Sequence, residues 1–150
     1  MSFDTGGLDP MQVADGVDAL TWPKERFDHR GHLAAGAWWC HVHGPSALDH
    51  ARAAIRRFNE ANGGENTDTA GYHETLTIYY LAAVADLVAD EIPDRAWFED
   101  NADDESLERN APLRHWSEAV LMSTLARTAW VTPDSRDLPA SIQAHVDQLC

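Results

Sequence analysis

Two stretches of the sequence predict helices that are apolar around most of their circumference. The first spans residues 27–43, and the second, which is the longest and most hydrophobic in the chain, spans residues 72–92. A helix that carries apolar side chains on nearly every face must be largely buried by other elements. The chain is therefore expected to fold around these two helices.

Clear breaks separate several further predicted helices. Gly44-Pro45 ends the first apolar helix, and Asn62-Gly63-Gly64 ends the amphipathic helix that follows it. The other predicted helices span residues 10–22, 95–101, 115–128 and 141–149. The sequence lacks sustained period-two alternation bounded by hairpin turns, which is the mark of strands. The predicted fold class is therefore all-α, with five or six helices in a compact bundle.

The length of 150 residues predicts one helical domain, since two sizeable cores would need a longer chain. Within residues 1–150 we expect an N-terminal arm at 1–24, a core at 25–134 and a C-terminal tail at 135–150.

The charge of the chain bears on its partners. It carries 25 acidic and 11 basic residues, a formal net charge of −14, which argues against nucleic acid or an anionic membrane surface as a partner. No stretch reaches the roughly 18 apolar residues of a membrane span, and the first residues lack the basic start and apolar run of a signal peptide. Cys40 and Cys150 form no C-x-x-C pair. An acidic, cytoplasmic protein is the expectation.

Three histidines form the main candidate site. His29 and His32 lie three apart, so a helix would place both imidazoles on one face with Cβ atoms roughly 5–6 Å apart. His73, on the second apolar helix, would complete a cluster if the two helices pack together. Such a cluster suits acid–base catalysis, or a transition metal (Zn, Cu or Fe) held by all three rings with one position open. The alternative is that the histidines are buried and hydrogen-bonded to backbone carbonyls.

Polar residues around His73 are candidates for the same site. Glu74 is a candidate catalytic group, although a glutamate at a helix start is also favoured by the helix dipole. Thr77 lies one turn after His73, so its hydroxyl could bind a ligand or the backbone carbonyl of the preceding turn. Tyr72 could present its phenol to a pocket or form an edge of the core.

Arg127 and Ser123 are candidate ligand-binding residues on a later helix. A single arginine among Leu125, Ala126 and Trp130 needs a partner if it is buried. Its planar fork suits a carboxylate or phosphate of a substrate, and Ser123 one turn earlier could assist. The alternative is a structural ion pair with an acidic residue such as Asp134.

Four ordered segments of the chain resemble a family of small, uncharacterised bacterial proteins. Their patterns are F-x-H-x-x-H-L followed by Ala-Trp, Y-H-x-T-x-T, W-x-x-F with a nearby Asn, and L-x-S-x-x-A-R-x-x-(aromatic)-V-x-P-D. They correspond here to Phe27–Leu33 with Ala37-Trp38, Tyr72–Thr77, Trp97-Phe98 with Asn101, and Leu121–Asp134. The resemblance implies an all-helical fold and a shared site, but it supplies no reaction.

The chain departs from this family at two places. Gly31 stands where relatives often have an acidic residue, and His115-Trp116 stands where they have an aromatic pair. If the family carboxylate orients a histidine or binds a metal, its absence removes one ligand or supporting partner here.

Three hypotheses for function follow. The first is a small cytosolic enzyme, metal-dependent or acid–base, that acts on a small anionic molecule through the histidine cluster. The second is a non-enzymatic protein that binds a small ligand or a metal. The third is an interaction protein whose histidines are structural. The sequence leaves the oligomeric state open, with a homodimer as one alternative.

Overall fold

The computed structural model describes residues 7–150, and between them it contains eight α-helices, four short 3₁₀ segments and no β-strand. The predicted all-α fold is confirmed. The helices are α1 (Pro10–Asp18), α2 (His29–His43), α3 (Ala47–Ala61), α4 (Glu74–Val88), α5 (Arg95–Asn101), α6 (Glu118–Leu121), α7 (Thr124–Thr128) and α8 (Ala140–Leu149).

The two apolar helices predicted from the sequence, α2 and α4, pack against each other at the centre of the fold. α1 and α3 also contact α2, while α3, α7 and α8 contact α4. Leu33 and Trp39 on α2 and Leu81 and Val84 on α4 are each at most 3 % exposed. At Gly36 of α2 a Cβ atom would lie 3.4 Å from Leu81 Cδ2, an ordinary contact distance, so the two helices lie side by side at this point.

Side-chain caps define where several helices begin. Asp9 accepts a hydrogen bond from the backbone N–H of Met11 at the start of α1, and Asp94 accepts one from Trp97 at the start of α5. Asp28 caps α2 in the same way, so this helix begins at His29 rather than at residue 27. Each carboxylate satisfies an N–H group that the first helical turn leaves without a partner.

The prediction of a single helix over residues 115–128 is wrong, because this region forms two short helices, α6 and α7. Ser117 accepts a hydrogen bond from the N–H of Val120, and Ser123 accepts one from the N–H of Ala126. Each serine thereby starts a new helix instead of continuing the preceding one. Serine side chains compete with the backbone for hydrogen bonds and favour caps over helix interiors.

Both ends of the described chain contribute to the core. Val13 and Val17 of α1 have no exposed surface, and Ile142 and Val146 of α8 are at most 4 % exposed. Residues 1–6 of the predicted arm lie outside the described residues. Within residues 7–150 no helix is long and apolar enough to cross a membrane.

Candidate functional site

A pocket of about 380 Å³ lies between α2, α3 and α4. Its inner walls are mainly apolar, formed by Leu33, Ile55, Leu76, Leu81 and Val84 among others. Exposed residues at its edge include Asp28, His32, Gly71 and Arg109. A concave, mostly apolar cavity of this size with a few polar groups between bundle helices is typical of a small-molecule site.

The pocket brings together five of the eight residues that the sequence predicted for the site. His29 and His32 line it from α2, while Tyr72, His73 and Thr77 line it from the start of α4. Glu74, Ser123 and Arg127 are not among the residues that line it. The geometry around each side chain determines what it can do chemically.

His32 combines an orienting hydrogen bond with a nitrogen that stays available. Its Nδ1 lies 2.8 Å from the carbonyl oxygen of Asp28. Since a carbonyl can only accept, Nδ1 carries the proton, and in the neutral ring Nε2 keeps its lone pair. Nε2 has no hydrogen-bond partner in the described part of the chain. The ring stacks on Phe27, with centroids 3.8 Å apart and an interplanar angle of 14°.

The surroundings of His32 favour its neutral form. His32 is exposed at the pocket edge, and desolvation of its ring by the neighbouring groups lowers its pKa. The nearby His29 lowers the pKa further, while the hydrogen bond to Asp28 opposes the shift. His32 is therefore a proton acceptor held in one tautomer and one orientation.

His29 is tied to a distant loop. Its Nε2 lies 2.7 Å from the carbonyl oxygen of Leu107, so Nε2 carries the proton and donates. Its ring meets Tyr80 edge to face at a centroid distance of 5.1 Å. Nδ1 of His29 has no hydrogen-bond partner between residues 7 and 150. Of the three rings, only those of His29 and His32 thus keep a nitrogen available for a ligand.

Both ring nitrogens of His73 make hydrogen bonds that stabilise the fold. It is the N-cap of α4, and its Nδ1 accepts a hydrogen bond from the N–H of Leu76 at 3.2 Å. Its Nε2 donates to the carbonyl oxygen of Leu121 at 2.8 Å. Burial lowers the pKa of His73, which is only 8 % exposed, so the neutral ring is favoured. The backbone-bonded alternative raised from the sequence therefore describes this histidine.

The expected three-imidazole metal centre does not form. His73 has no nitrogen left for a metal, and one nitrogen of each other ring donates to a backbone carbonyl. In the part of the chain that the structure describes, no three His, Cys, Asp or Glu side chains are arranged to hold a metal ion. The geometry of the pocket instead supports acid–base or hydrogen-bonding roles for His29 and His32.

Glu74 joins α4 to α3 instead of facing the pocket. Its carboxylate accepts two hydrogen bonds from Arg52 and a third, at 2.7 Å, from the phenol of Tyr72. Burial works against ionisation of Glu74, but these hydrogen bonds outweigh it and hold its pKa below the usual value. Tyr72, whose own pKa is raised mainly by burial, contributes its ring to the pocket wall while its hydroxyl is used by Glu74.

Arg127 and Ser123 support the pocket from outside. The guanidinium of Arg127 donates to the carbonyl oxygen of Gly71 at 2.8 Å, and Asp134 does not pair with it. Ser123 caps α7 and donates to the carbonyl oxygen of Val120. Both side chains therefore bind backbone groups. Thr77 lines the pocket but also donates to a backbone carbonyl, that of His73, at 2.8 Å.

Arg109 is the pocket residue that sequence reasoning missed. It lies in the segment between α5 and α6, and it reaches the pocket with no side-chain partner among residues 7–150. No local pattern marks it, because Glu108-Arg109-Asn110 reads as an ordinary polar loop. Only the tertiary placement of this loop reveals a cation at the pocket.

The absence of a side chain at Gly31 is explained by its close approach to the backbone. A Cβ atom at this position would lie 2.5 Å from the carbonyl oxygen of Arg26, well inside contact distance. Any side chain at this position, an acidic one included, would require the backbone to shift.

Comparisons with protein-family models, with curated proteins and with solved structures find no match to this chain.

Proposed function

We propose that the pocket binds a small, mostly apolar molecule and that the protein is an acid–base enzyme in which His32 accepts or donates the proton. The observation that carries the proposal is the neutral His32 ring, whose Nδ1–H is held by Asp28 while Nε2 stays available in the pocket wall. An imidazole oriented through one nitrogen and free at the other is a common general base. His29, the neighbouring ring with a free Nδ1, would serve as the second proton-transfer group or orient the ligand.

We also propose a cytoplasmic location and membership of the bacterial family whose four segments the chain resembles. The order of those segments supports the family, and two unpaired cysteines fit a reducing compartment.

A screen in D₂O tests the enzymatic proposal. Protein purified without a histidine tag would be incubated with small carbon acids and carboxylic esters, and conversion or deuterium incorporation followed by proton NMR. His32→Gln should lower any observed rate by about a hundredfold or more, because it removes a general base. His41→Gln is the matched control, since His41 is exposed and lies outside this pocket. A rate that survives undiminished in His32→Gln would contradict the proposal.

A non-enzymatic ligand-binding protein is the second candidate. It is favoured by the number of pocket groups already bonded to the backbone, which include His29, His73 and Thr77. Compounds that shift the amide signals of pocket residues without being converted or exchanged would favour this candidate over the enzyme.

The metal-dependent version of the enzyme is tested separately. Metal analysis of untagged protein is expected to find no stoichiometric transition metal at the three histidines, because both nitrogens of His73 are occupied. A bound metal that is lost on His29→Ala would contradict this expectation.

A further inference from the structure

The segment that carries Arg109 is fastened to the central helices by consecutive backbone carbonyls. Tyr79 donates to the carbonyl oxygen of Ser106 at 2.8 Å, and His29 donates to that of Leu107 at 2.7 Å. The hydroxyl of Tyr80 lies 2.8 Å from the carbonyl oxygen of Glu108 and 3.0 Å from that of Arg109. Side chains from α2 and α4 thus hold the backbone of residues 106–109 against the pocket.

This attachment contrasts with the freedom of the Arg109 side chain. Arg114, in the same segment, donates to the carbonyl oxygen of Glu105 and to the carboxylate of Glu108. The side chain of Arg109 has neither a hydrogen bond nor an ion pair within residues 7–150, although the chain carries 25 acidic residues against 11 basic ones. The backbone of this pocket-lining residue is held in place, while its exposed side chain has no partner among residues 7–150.

Among residues 7–150, no other charged group that lines the pocket forms an ion pair with Arg109. Asp28 is the one carboxylate among the lining residues, and its Oδ1 accepts the N–H of Gly31 at 2.9 Å as the cap of α2. His32 is favoured in its neutral form. A ligand therefore meets the Arg109 cation, the Asp28 carboxylate and apolar walls.

We propose that Arg109 anchors the carboxylate of the ligand, so that the pocket takes a small organic monocarboxylate with an apolar body. This inference rests on the proposed function, because it names the class of molecule that the same pocket binds. A guanidinium matches a planar carboxylate with two parallel hydrogen bonds. A single cation with Asp28 nearby suits one negative charge better than the two of a phosphate monoester. The apolar walls accommodate the rest of the molecule.

Matched pairs of probes test the inference. We would titrate ¹⁵N-labelled protein with hexanoate and hexanamide, cyclohexanecarboxylate and its amide, and 2-naphthoate and 2-naphthamide, following the amide signals of pocket residues such as Leu33 and Gly71. Within each pair the two molecules are alike in size and shape but differ in charge. The carboxylate should bind roughly fivefold more tightly than its amide, the scale of a partly exposed charge pair.

Three variants test whether Arg109 causes the preference for the carboxylate over the amide. Arg109→Gln should abolish the preference and leave amide binding unchanged. Arg136→Gln, which removes the same charge from an exposed arginine outside the pocket, should keep it. Tyr80→Phe removes the hydroxyl that positions the loop, so it should reduce the preference in the wild-type background and have no further effect on it in Arg109→Gln.

The outcomes separate this inference from the proposed function. Equal affinities for carboxylate and amide in the wild-type protein, or a preference that survives Arg109→Gln, would overturn the anchoring role while leaving a binding pocket. Pocket signals that no probe shifts would overturn both proposals. A preference that disappears equally in Arg136→Gln would show that overall charge, not Arg109, is responsible.

Discussion

His73→Ala is expected to destabilise the fold strongly, because one buried ring makes two structural hydrogen bonds. Nδ1 caps α4 by accepting the N–H of Leu76, and Nε2–H satisfies the carbonyl oxygen of Leu121, which lies 48 positions along the chain. The second bond ties the start of α4 to the end of α6. Alanine can make neither.

The two losses give the size of the effect. Removing a side-chain N-cap typically costs about 1 kcal/mol. Leaving the buried carbonyl of Leu121 without a partner costs about 1–3 kcal/mol. His73→Ala should therefore lower the free energy of unfolding by about 2–4 kcal/mol. His73→Asn restores a good cap but does not replace the ring that reaches Leu121, so it should recover about 1 kcal/mol of that loss.

Urea unfolding followed by far-ultraviolet circular dichroism near pH 7.5 measures these differences. His41→Ala is the control, because His41 is exposed and makes no hydrogen bond through its side chain within residues 7–150, and its effect should stay within about 0.5 kcal/mol. If His73→Ala proved as stable as this control, both assigned hydrogen bonds would be refuted. If His73→Asn were no more stable than His73→Ala, the capping role would be refuted.

Three further predictions concern a glycine, a titration and the thiols. Gly31→Ala should destabilise by about 1–3 kcal/mol in thermal or urea unfolding, because its Cβ atom would meet a backbone oxygen at 2.5 Å. Gly36→Ala, whose nearest contact is a flexible side chain, should be neutral or stabilising, since alanine favours helices by about 1 kcal/mol over glycine. The folded-state pKa of His32 lies below the ordinary 6.5, so the unfolded chain binds more protons and stability should fall from about pH 7 to about pH 5. Denaturation curves recorded across that pH range give the unfolding free energy at each pH, and His32→Gln should make this free energy depend less on pH. Burial raises the pKa of Cys40 to about 12, so a disulfide reagent near pH 8 should modify exposed Cys150 in the native protein and both thiols only after unfolding, and rapid labelling of Cys40 would contradict this.

The positions of the central helices could be predicted because they depend on local periodicity. Residues 27–43 and 72–92 are apolar on most faces, and burial follows from that pattern whichever elements cover them. The spacing of His29 and His32 likewise places both rings on one helical face before any tertiary contact is known. The structure places these rings in one pocket with His73.

The hydrogen-bond partners of those rings could not be predicted. His29 donates to a carbonyl 78 positions away and His73 to one 48 positions away. The local sequence pattern does not predict such pairs, since they form only when separate helices and loops pack together. For the same reason the sequence analysis chose Arg127, because its apolar neighbours suggested burial. It missed Arg109, because that residue lies in a polar loop.

Periodicity and residue spacing alone establish an all-α bundle, its two central helices and the histidines that line its pocket. Tertiary structure decided which nitrogen of each histidine is occupied, which arginine reaches the pocket and that no three-imidazole metal centre forms. The physical reason is that burial follows from the sum of many nearby apolar residues, whereas the chemistry of a polar side chain depends on one partner within about 3 Å. In this protein those partners are backbone carbonyls brought into place by the packed helices.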